Sequence, residues 1–432
     1  MAADTGNTGR GMRDFYLLWS TQALSVLGSD MTSFSLTLWV FQKTGSALQT
    51  ALLTVCSYTP YVIMSIFAGA LSDRWDKKKT MLACDTVAAC CTLSVFILLR
   101  TGLLRPWYLY LLNAVNGLMS TVQRPAADVA VTLLIPKERY QKTSGLRSLS
   151  GSVNTILHPI AATAIYSLGG MDLVIAVDLA TFFVAFFTLA FAVRIPAIAA
   201  EGDGREESVL RSAGRGLEFL RENRLDLYLI FFLAGVNLNA SAFDAVLPAY
   251  ILPHPAGGET VLGAVLSFAG IAMVAGSLIV TAMPAPRDRV KVILLTMLFS
   301  LTTDNFLMSL TDSPVLWCIA QILGYLPVPL MSANLDVILR SSIPVDMQGR
   351  VYACRNTLQF FTIPIGHLLG GWMVDRVCEP LMERAGDGFL GACFGQGRGS
   401  GAALMIFILG ITGLTVCLVF MRILRNYSYS EN

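Results

Sequence analysis

Charged residues are scarce in this chain: Asp, Glu, Lys and Arg make up 14% of its 432 residues, while 54% are hydrophobic. Soluble domains carry about 25% charged residues, so a soluble globular protein is excluded. Histidine is scarcer still, with three in the chain, and no His-Glu-x-x-His pattern or Ser/His/Asp constellation is present. The nine cysteines show no zinc-type spacing. The glycine-dense stretch Gly395-Gln396-Gly397-Arg398-Gly399-Ser400-Gly401 fails the phosphate-loop pattern and reads as a flexible connection. With no ATP-binding motif, primary pumping by this chain is not expected, nor are a catalytic residue, a metal, a cofactor or a nucleic-acid partner.

Long apolar runs occupy the space that charge leaves, and the mean hydropathy is +0.62. A helix needs about 20 apolar residues to cross the ~30 Å hydrocarbon layer, so twelve spans of about 36 residues each, loops included, use the whole chain. The runs fall at 14–41, 47–72, 80–100, 106–125, 147–168 and 171–194, then at 225–251, 260–284, 290–311, 314–336, 351–375 and 401–424. The first run is too long for a signal-peptide core and no small-residue cleavage site follows it, so it is expected to be retained. With both termini in the cytoplasm, 25 of the 31 lysines and arginines fall on the inner side. The positive-inside rule selects that orientation. Most cysteines lie within spans, where they pack as small soft side chains; Cys378 and Cys393 share the outer loop between spans 11 and 12, a compartment that permits a disulfide between them.

The chain is internally duplicated. Asp128 to Pro136 reads Asp-Val-Ala-Val-Thr-Leu-Leu-Ile-Pro, and Asp336 to Pro344 reads Asp-Val-Ile-Leu-Arg-Ser-Ser-Ile-Pro, so each is Asp-Val, five residues, then Ile-Pro. Each segment follows an even-numbered span and leads through a basic stretch into the next helix. Pro159 and Pro364 recur in spans 5 and 11. This predicts an all-α membrane protein of two six-helix pseudo-repeats, with an N-terminal bundle at 1–194, a cytoplasmic linker at 195–224 and a C-terminal bundle at 225–432. Within the linker, Leu210, Leu217 and Leu220 set an amphipathic helix after the charges of Glu201 to Glu207; a helix at the membrane surface and a solvated loop both fit it.

Between spans 2 and 3 stands Gly69-Ala70-Leu71-Ser72-Asp73-Arg74-Trp75-Asp76-Lys77-Lys78-Lys79. It resembles the signature of the major facilitator superfamily, Gly-x-Leu-Ala-Asp-Arg-x-Gly-Arg-Lys, with Ser72 and Asp76 as departures. The order of features, with Gln348-Gly349-Arg350-Val351 opening span 11, most resembles the branch of macrolide-efflux proteins and the enterobactin exporter. The resemblance implies the twelve-helix major facilitator fold and a cytoplasmic gate built from Gly69, Asp73, Arg74 or Lys77, and Asp128. Two further departures are Asn113, where many proton-coupled members have arginine, and His158-Pro159, where antiporters have Gly-Pro.

Polar residues within hydrocarbon are costly and mark pathways. Asp30 lies in the middle of span 1, and at 100° per residue Gln22, Ser29, Ser33 and Thr37 fall on its side of the helix. In span 7, Asn237, Ser241 and Asp244 share a face by their spacings of four and three. Spans 1, 4, 7 and 10 line the central cavity of the resembled fold, which adds Asn113 and Asn116 from span 4 and Gln321 and Tyr325 from span 10; Asn154 and His158 join from span 5. A carboxylate in such a cavity can exchange protons near neutral pH, so Asp30, then Asp244, are the candidate proton-coupling residues. Asp85, Asp178 and Asp304 read as rim or packing residues, and His367 as a packing residue. The residues thus predict a monomeric, multi-pass, proton-coupled transporter of the inner (plasma) membrane, and the resemblance implies that it exports small amphiphilic substrates such as macrolides. Export of one natural product such as a siderophore, and a transport-inactive sensor, are its rivals.

Overall fold

The computed structural model describes residues 5–136, 139–196, 209–344, 347–386, 388–425 and 427. Among them every regular element is helical. The first helices are α1 (Thr5–Thr44), α2 (Ala47–Arg74), α3 (Lys77–Arg100), α4 (Pro106–Leu134) and α5 (Tyr140–Phe187), which runs into a π-helical turn at Thr188–Ala192. There follow α6 (Val209–Glu222), α7 (Arg224–Ile251), α8 (Glu259–Ala282), α9 (Arg289–Ser309), α10 (Pro314–Tyr325) and α11 (Val328–Ser342). The last group is α12 (Gln348–Phe360), α13 (Thr362–Met373), a π-helical turn at Val374–Cys378, α14 (Glu379–Ala385), α15 (Phe389–Phe394) and α16 (Ser400–Ile423).

Nine helical stretches among the described residues are long and apolar enough to cross a membrane. One of them, Leu146–Ala192, covers the predicted spans 5 and 6 together. Its continuity is broken at Gly169 and Gly170, where Gly170 adopts φ 63°, a left-handed conformation that glycine alone reaches freely. Predicted span 4 is α4, made less apolar by Asn113, Asn116 and Gln123. Predicted spans 10 and 11 are each two helices, divided at Leu326–Pro327 and at Phe361. Proline accounts for the first division, because its ring removes a donor and clashes with the preceding turn.

The contacts group the chain into two compact units, one of Met1–Thr37 with Cys56–Glu206 and one of Leu38–Val55 with Glu207–Asn432. In the first, Phe15, Met81, Ala126, Ala130 and Leu189 form an apolar cluster where α1, α3, α4 and the π-turn meet. In the second, Leu220 of α6 is fully buried in a cluster with Ile230, Ile293 and Ile338. The amphipathic run of the predicted linker is therefore a helix docked on the second unit, with Gly216 against Arg350 and Cys354. The preceding charges Glu201, Asp203, Arg205, Glu206 and Glu207 lie outside the described residues.

Lipid tails are as apolar as leucine, so close backbone approach carries helix association in a membrane. Gly117 of α4 shows how close: a Cβ there would sit 1.9 Å from the Ser57 carbonyl oxygen of α2. Gly366 and Gly370 of α13 press in the same way on Leu238 and Ala242 of α7. His367 between them is buried and its Nδ1 donates to the Ile363 carbonyl at 3.1 Å, which makes it a packing residue. All nine cysteines, Cys378 and Cys393 included, are free thiols.

The duplication read from the sequence is visible in local geometry. α4 ends at Leu134 and α11 at Ser342; the next residues, Ile135 and Ile343, are both extended. Arg139 N–H then donates to Pro136 O at 2.9 Å, and Met347 N–H to Pro344 O at 2.9 Å. The following helices open at Tyr140 and Gln348. Every one of these features recurs at the same sequence interval.

Candidate functional site

Within the first unit, one face of α1 supplies three separate carboxylate sites. Asp30 itself is half-buried, and its Oδ2 accepts the side-chain amide of Asn154 from α5. One turn further along α5, His158 Nδ1 lies 3.0 Å from the Asn154 carbonyl, which assigns the proton to that ring nitrogen. The His158 ring packs edge-on to Phe34 at 6.4 Å. Arg124 of α4 is within electrostatic reach of Asp30, a cation that the charge count had placed on the cytoplasmic side. The residues Asp30, Asn154 and His158, predicted from different spans, are thus brought together.

The remaining polar residues of the α1 face serve other acids. Gln22 donates to Asp85 Oδ2 at 3.1 Å, and Gln123 of α4 donates to Asp85 Oδ1 at 2.6 Å. Asp178 of α5 is buried and accepts three hydroxyls, from Ser29 at 3.0 Å, Thr32 at 2.9 Å and Thr92 of α3 at 3.3 Å. Three O–H donors from two neighbouring helices satisfy that carboxylate within the protein. Gly28 lies against Asp178 and Thr181, leaving no room for a side chain there. Asp85 and Asp178 are accordingly clasps between helices, as a packing role requires. Ser33 is exposed, Asn113 and Asn116 are half-buried, and the Asn116 Oδ1 has no hydrogen-bond partner among the described residues.

In the second unit Asp244 is exposed in an otherwise buried stretch of α7. Asp304 of α9 and Tyr325 of α10 both lie within its electrostatic reach. Gln321 is fully buried and its amide donates to both Asp304 oxygens, at 3.2 and 3.4 Å. Gly324 permits that approach, since a Cβ there would meet the Asp304 carboxylate at 2.7 Å. Asn237 donates to the Gln359 carbonyl at 3.1 Å, and the buried Ser241 hydroxyl donates to the Asn237 carbonyl. These two side chains tie α7 to its own turn and to α12, so the polar face predicted for span 7 is divided between packing and the exposed Asp244.

Of the predicted cytoplasmic gate, the side chains at Gly69, Asp73 and Arg74 lie outside the described residues. Lys77 is buried and donates to the Trp75 carbonyl at 3.0 Å. Lys78 donates to the carbonyls of Ala190 and Val193, at 2.9 and 2.8 Å, neutralising the carbonyl end of the π-turn after α5. Asp128 pairs with Arg147 of α5.

One site escaped the sequence reading. Asp375, in the π-turn after α13, accepts the Ser46 hydroxyl and the backbone N–H groups of Ala47 at 2.9 Å and Leu48 at 3.0 Å. A carboxylate therefore closes the N-terminus of α2, where the helix leaves its first donors unpaired. Its neighbour one turn on, Glu379, accepts the Gly399 N–H at 2.9 Å at the start of α16. The Asp-x-x-x-Glu spacing was the only signal, and it names no partner. Among the described residues no group of three His, Cys, Asp or Glu side chains is arranged to hold a metal ion.

The arrangement of buried acids on apolar, close-packed helices agrees with comparison to known proteins. Residues 18–366 match the model of the Major Facilitator Superfamily. The chain is 25% identical to Macrolide efflux protein A of Streptococcus pyogenes over 84% of its own length and 90% of that protein. It is 22% identical to the Multidrug efflux pump Tap of Mycobacterium tuberculosis, over 85% and 88% of the two chains. Among solved structures, a bacterial homologue of the human lysosomal transporter Spinster, inward-facing and occupied, superimposes with a TM-score of 0.71 at 12% identity, covering 97% of this chain and 98% of that one. A family match over most of the chain, on an all-helical fold with membrane-spanning helices, identifies the chain as a multi-pass membrane transporter of the Major Facilitator Superfamily.

Proposed function

We propose that this transporter is a proton-coupled exporter of amphiphilic drugs such as macrolides, working by alternating access between two six-helix halves. The names of its relatives support the substrate class. The observation that carries the coupling is the Asp30–Asn154 hydrogen bond: a half-buried carboxylate within an apolar helix, held by one neutral amide and beside a histidine. A carboxylate with one neutral donor retains capacity to take up a proton, whereas Asp178, with three hydroxyl donors, is already satisfied. Asp30 takes the proton in this reading and Asp244 is the second candidate. Ser33, Asn113, Asn116, His158 and Tyr325 face the substrate path, while Gln22, Asn237, Ser241 and Gln321 brace it. The protein works as a monomer in the bacterial plasma membrane with both termini cytoplasmic.

The test is proton release from everted vesicles on addition of a panel of lipophilic drugs, comparing wild type with Asp30→Asn at matched abundance. Drug-triggered proton movement that disappears in the variant supports the reading. Proton movement unchanged in the variant moves the coupling away from Asp30, and drug flux in proteoliposomes without proton movement removes the coupling altogether.

A further inference from the structure

The two sequence halves carry the same carboxylate–guanidinium pair at the same interval, Asp128 with Arg147 and Asp336 with Arg355. The two copies are in different states. Asp128 and Arg147 are in direct contact and both largely open to solvent. Asp336 and Arg355 stand 3.8 Å apart, and the Arg355 side chain is 16% exposed against 50% for Asp336. Arg355 is drawn away by other groups: its Nε donates to Gln359 at 3.1 Å, and its guanidinium lies 5.8 Å from the centre of the Tyr352 ring.

A cavity of about 540 Å³ opens beside this separated pair, lined by Asp336, Arg340, Tyr352 and Arg355. Arg340 is exposed and follows Asp336 by one helical turn. Among the described lining residues two guanidinium groups stand against one carboxylate, a net positive set. Each guanidinium presents five N–H donors in a fixed fork, more in total than the Asp336 carboxylate, 3.8 Å from Arg355, can accept. The lining chemistry is that of an anion site, and arginine pairs match phosphate oxygens two at a time. The volume is that of an organic ligand, within the roughly 300–1,000 Å³ range of small-molecule sites, and far exceeds a bare ion. Its position is the junction where α11 ends and α12 begins, the end that the charge distribution assigns to the cytoplasm. Basic pockets between membrane helices on that side are suited to lipid headgroups.

We propose that this cavity binds the headgroup of an anionic phospholipid from the inner leaflet, its phosphate between Arg340 and Arg355 and Tyr352 against the adjoining glycerol. A lipid phosphate there takes the place that Asp128 holds on Arg147 in the first half. The ligand chemistry, a phosphate ester, is shared by soluble phosphates, so the test separates the sources.

The purified full-length protein in detergent is followed by its thermal transition while dihexanoyl phosphatidylglycerol, dihexanoyl phosphatidylcholine or inorganic phosphate is titrated in. Phosphatidylglycerol should raise the transition saturably, as a ligand of the folded state does, with Arg340→Gln and Arg355→Lys each weakening the response at least tenfold. Arg147→Gln, at the equivalent closed pair, should leave that response in place. Arg340→Gln alters an exposed side chain and Arg355→Lys keeps the charge, so both variants test binding in a folded protein. An equal rise with phosphatidylcholine would overturn the proposal as non-specific, an equal rise with inorganic phosphate would overturn the lipid assignment, and an unchanged response in both arginine variants would overturn the site.

Discussion

The Asp375 carboxylate accepts the Leu48 backbone N–H at 3.0 Å, so the start of α2 is closed by a side chain more than three hundred positions away. Gly371, one turn before Asp375, lets the same strip of chain come close, since a Cβ there would lie 2.6 Å from Leu48 Cα. Hydrogen bonds to a charged acceptor contribute about 1.5–3 kcal/mol each. Asp375→Ala loses three of them and should lower the thermal transition of the purified protein clearly, whereas Asp375→Asn, which keeps one acceptor oxygen, should fall between. Equal transitions in all three proteins would remove the cap from the stability of the fold.

Two glycine substitutions should act with opposite signs. Gly117→Ala places a methyl where only 1.9 Å separates it from the Ser57 carbonyl oxygen, so α2 and α4 must part. Overpacking of this kind costs about 1–3 kcal/mol or more. Gly151→Ala meets nothing within 4 Å and should stabilise α5 slightly, by about 0.5–1 kcal/mol. Thermal unfolding of the two variants in one detergent checks both signs.

Glu379 gives a pH dependence outside the spans. Burial, reinforced by the neighbouring Glu383 carboxylate, holds its carboxyl above the ordinary value of 4.5, and the N–H of Gly399 only partly offsets this. A carboxyl raised in the folded state binds its proton more tightly there than in the unfolded chain. Its contribution is therefore complete below about pH 4.5 and is lost as pH rises through the higher folded value. Glu379→Gln should flatten the fall in thermal stability over that window, and an identical pH profile in the variant would contradict the assignment.

The signature segment offers a test of gating. On the proposed export function, Asp73→Asn should cut transport while leaving membrane abundance nearly unchanged. Abundance lost in step with transport would show instead that the segment serves folding.

Much of the site was legible because its signals are local. Asp30 stood out as a charge in an apolar run, and the four-residue spacing of Asn154 and His158 placed both on one face of α5. The break between spans 5 and 6 was marked by two glycines. Less legible was the fate of the α1 polar face, which served three acids: Gln22 reaches Asp85, Ser29 and Thr32 reach Asp178, and Asp30 receives Asn154. Helical periodicity gives the side of α1 on which a residue lies, but the partner depends on which helix is packed there and at what height.

By itself the sequence determined the membrane environment, the apolar lengths that make the spans, the repeated Asp-Val and Ile-Pro exits, and the positions where polar groups enter hydrocarbon. Those properties follow from composition and from spacings of three, four or seven residues, which a helix converts directly into faces. Tertiary structure decided that Asp178 accepts three hydroxyls and Asp30 one amide, that Asp128 and Arg147 are in contact while Asp336 and Arg355 stand 3.8 Å apart, and that Asp375 caps α2. Hydrogen bonds act over about 3 Å, and only the approach of distant helices, set by glycines such as Gly117 and Gly371, brings donors and acceptors within that range.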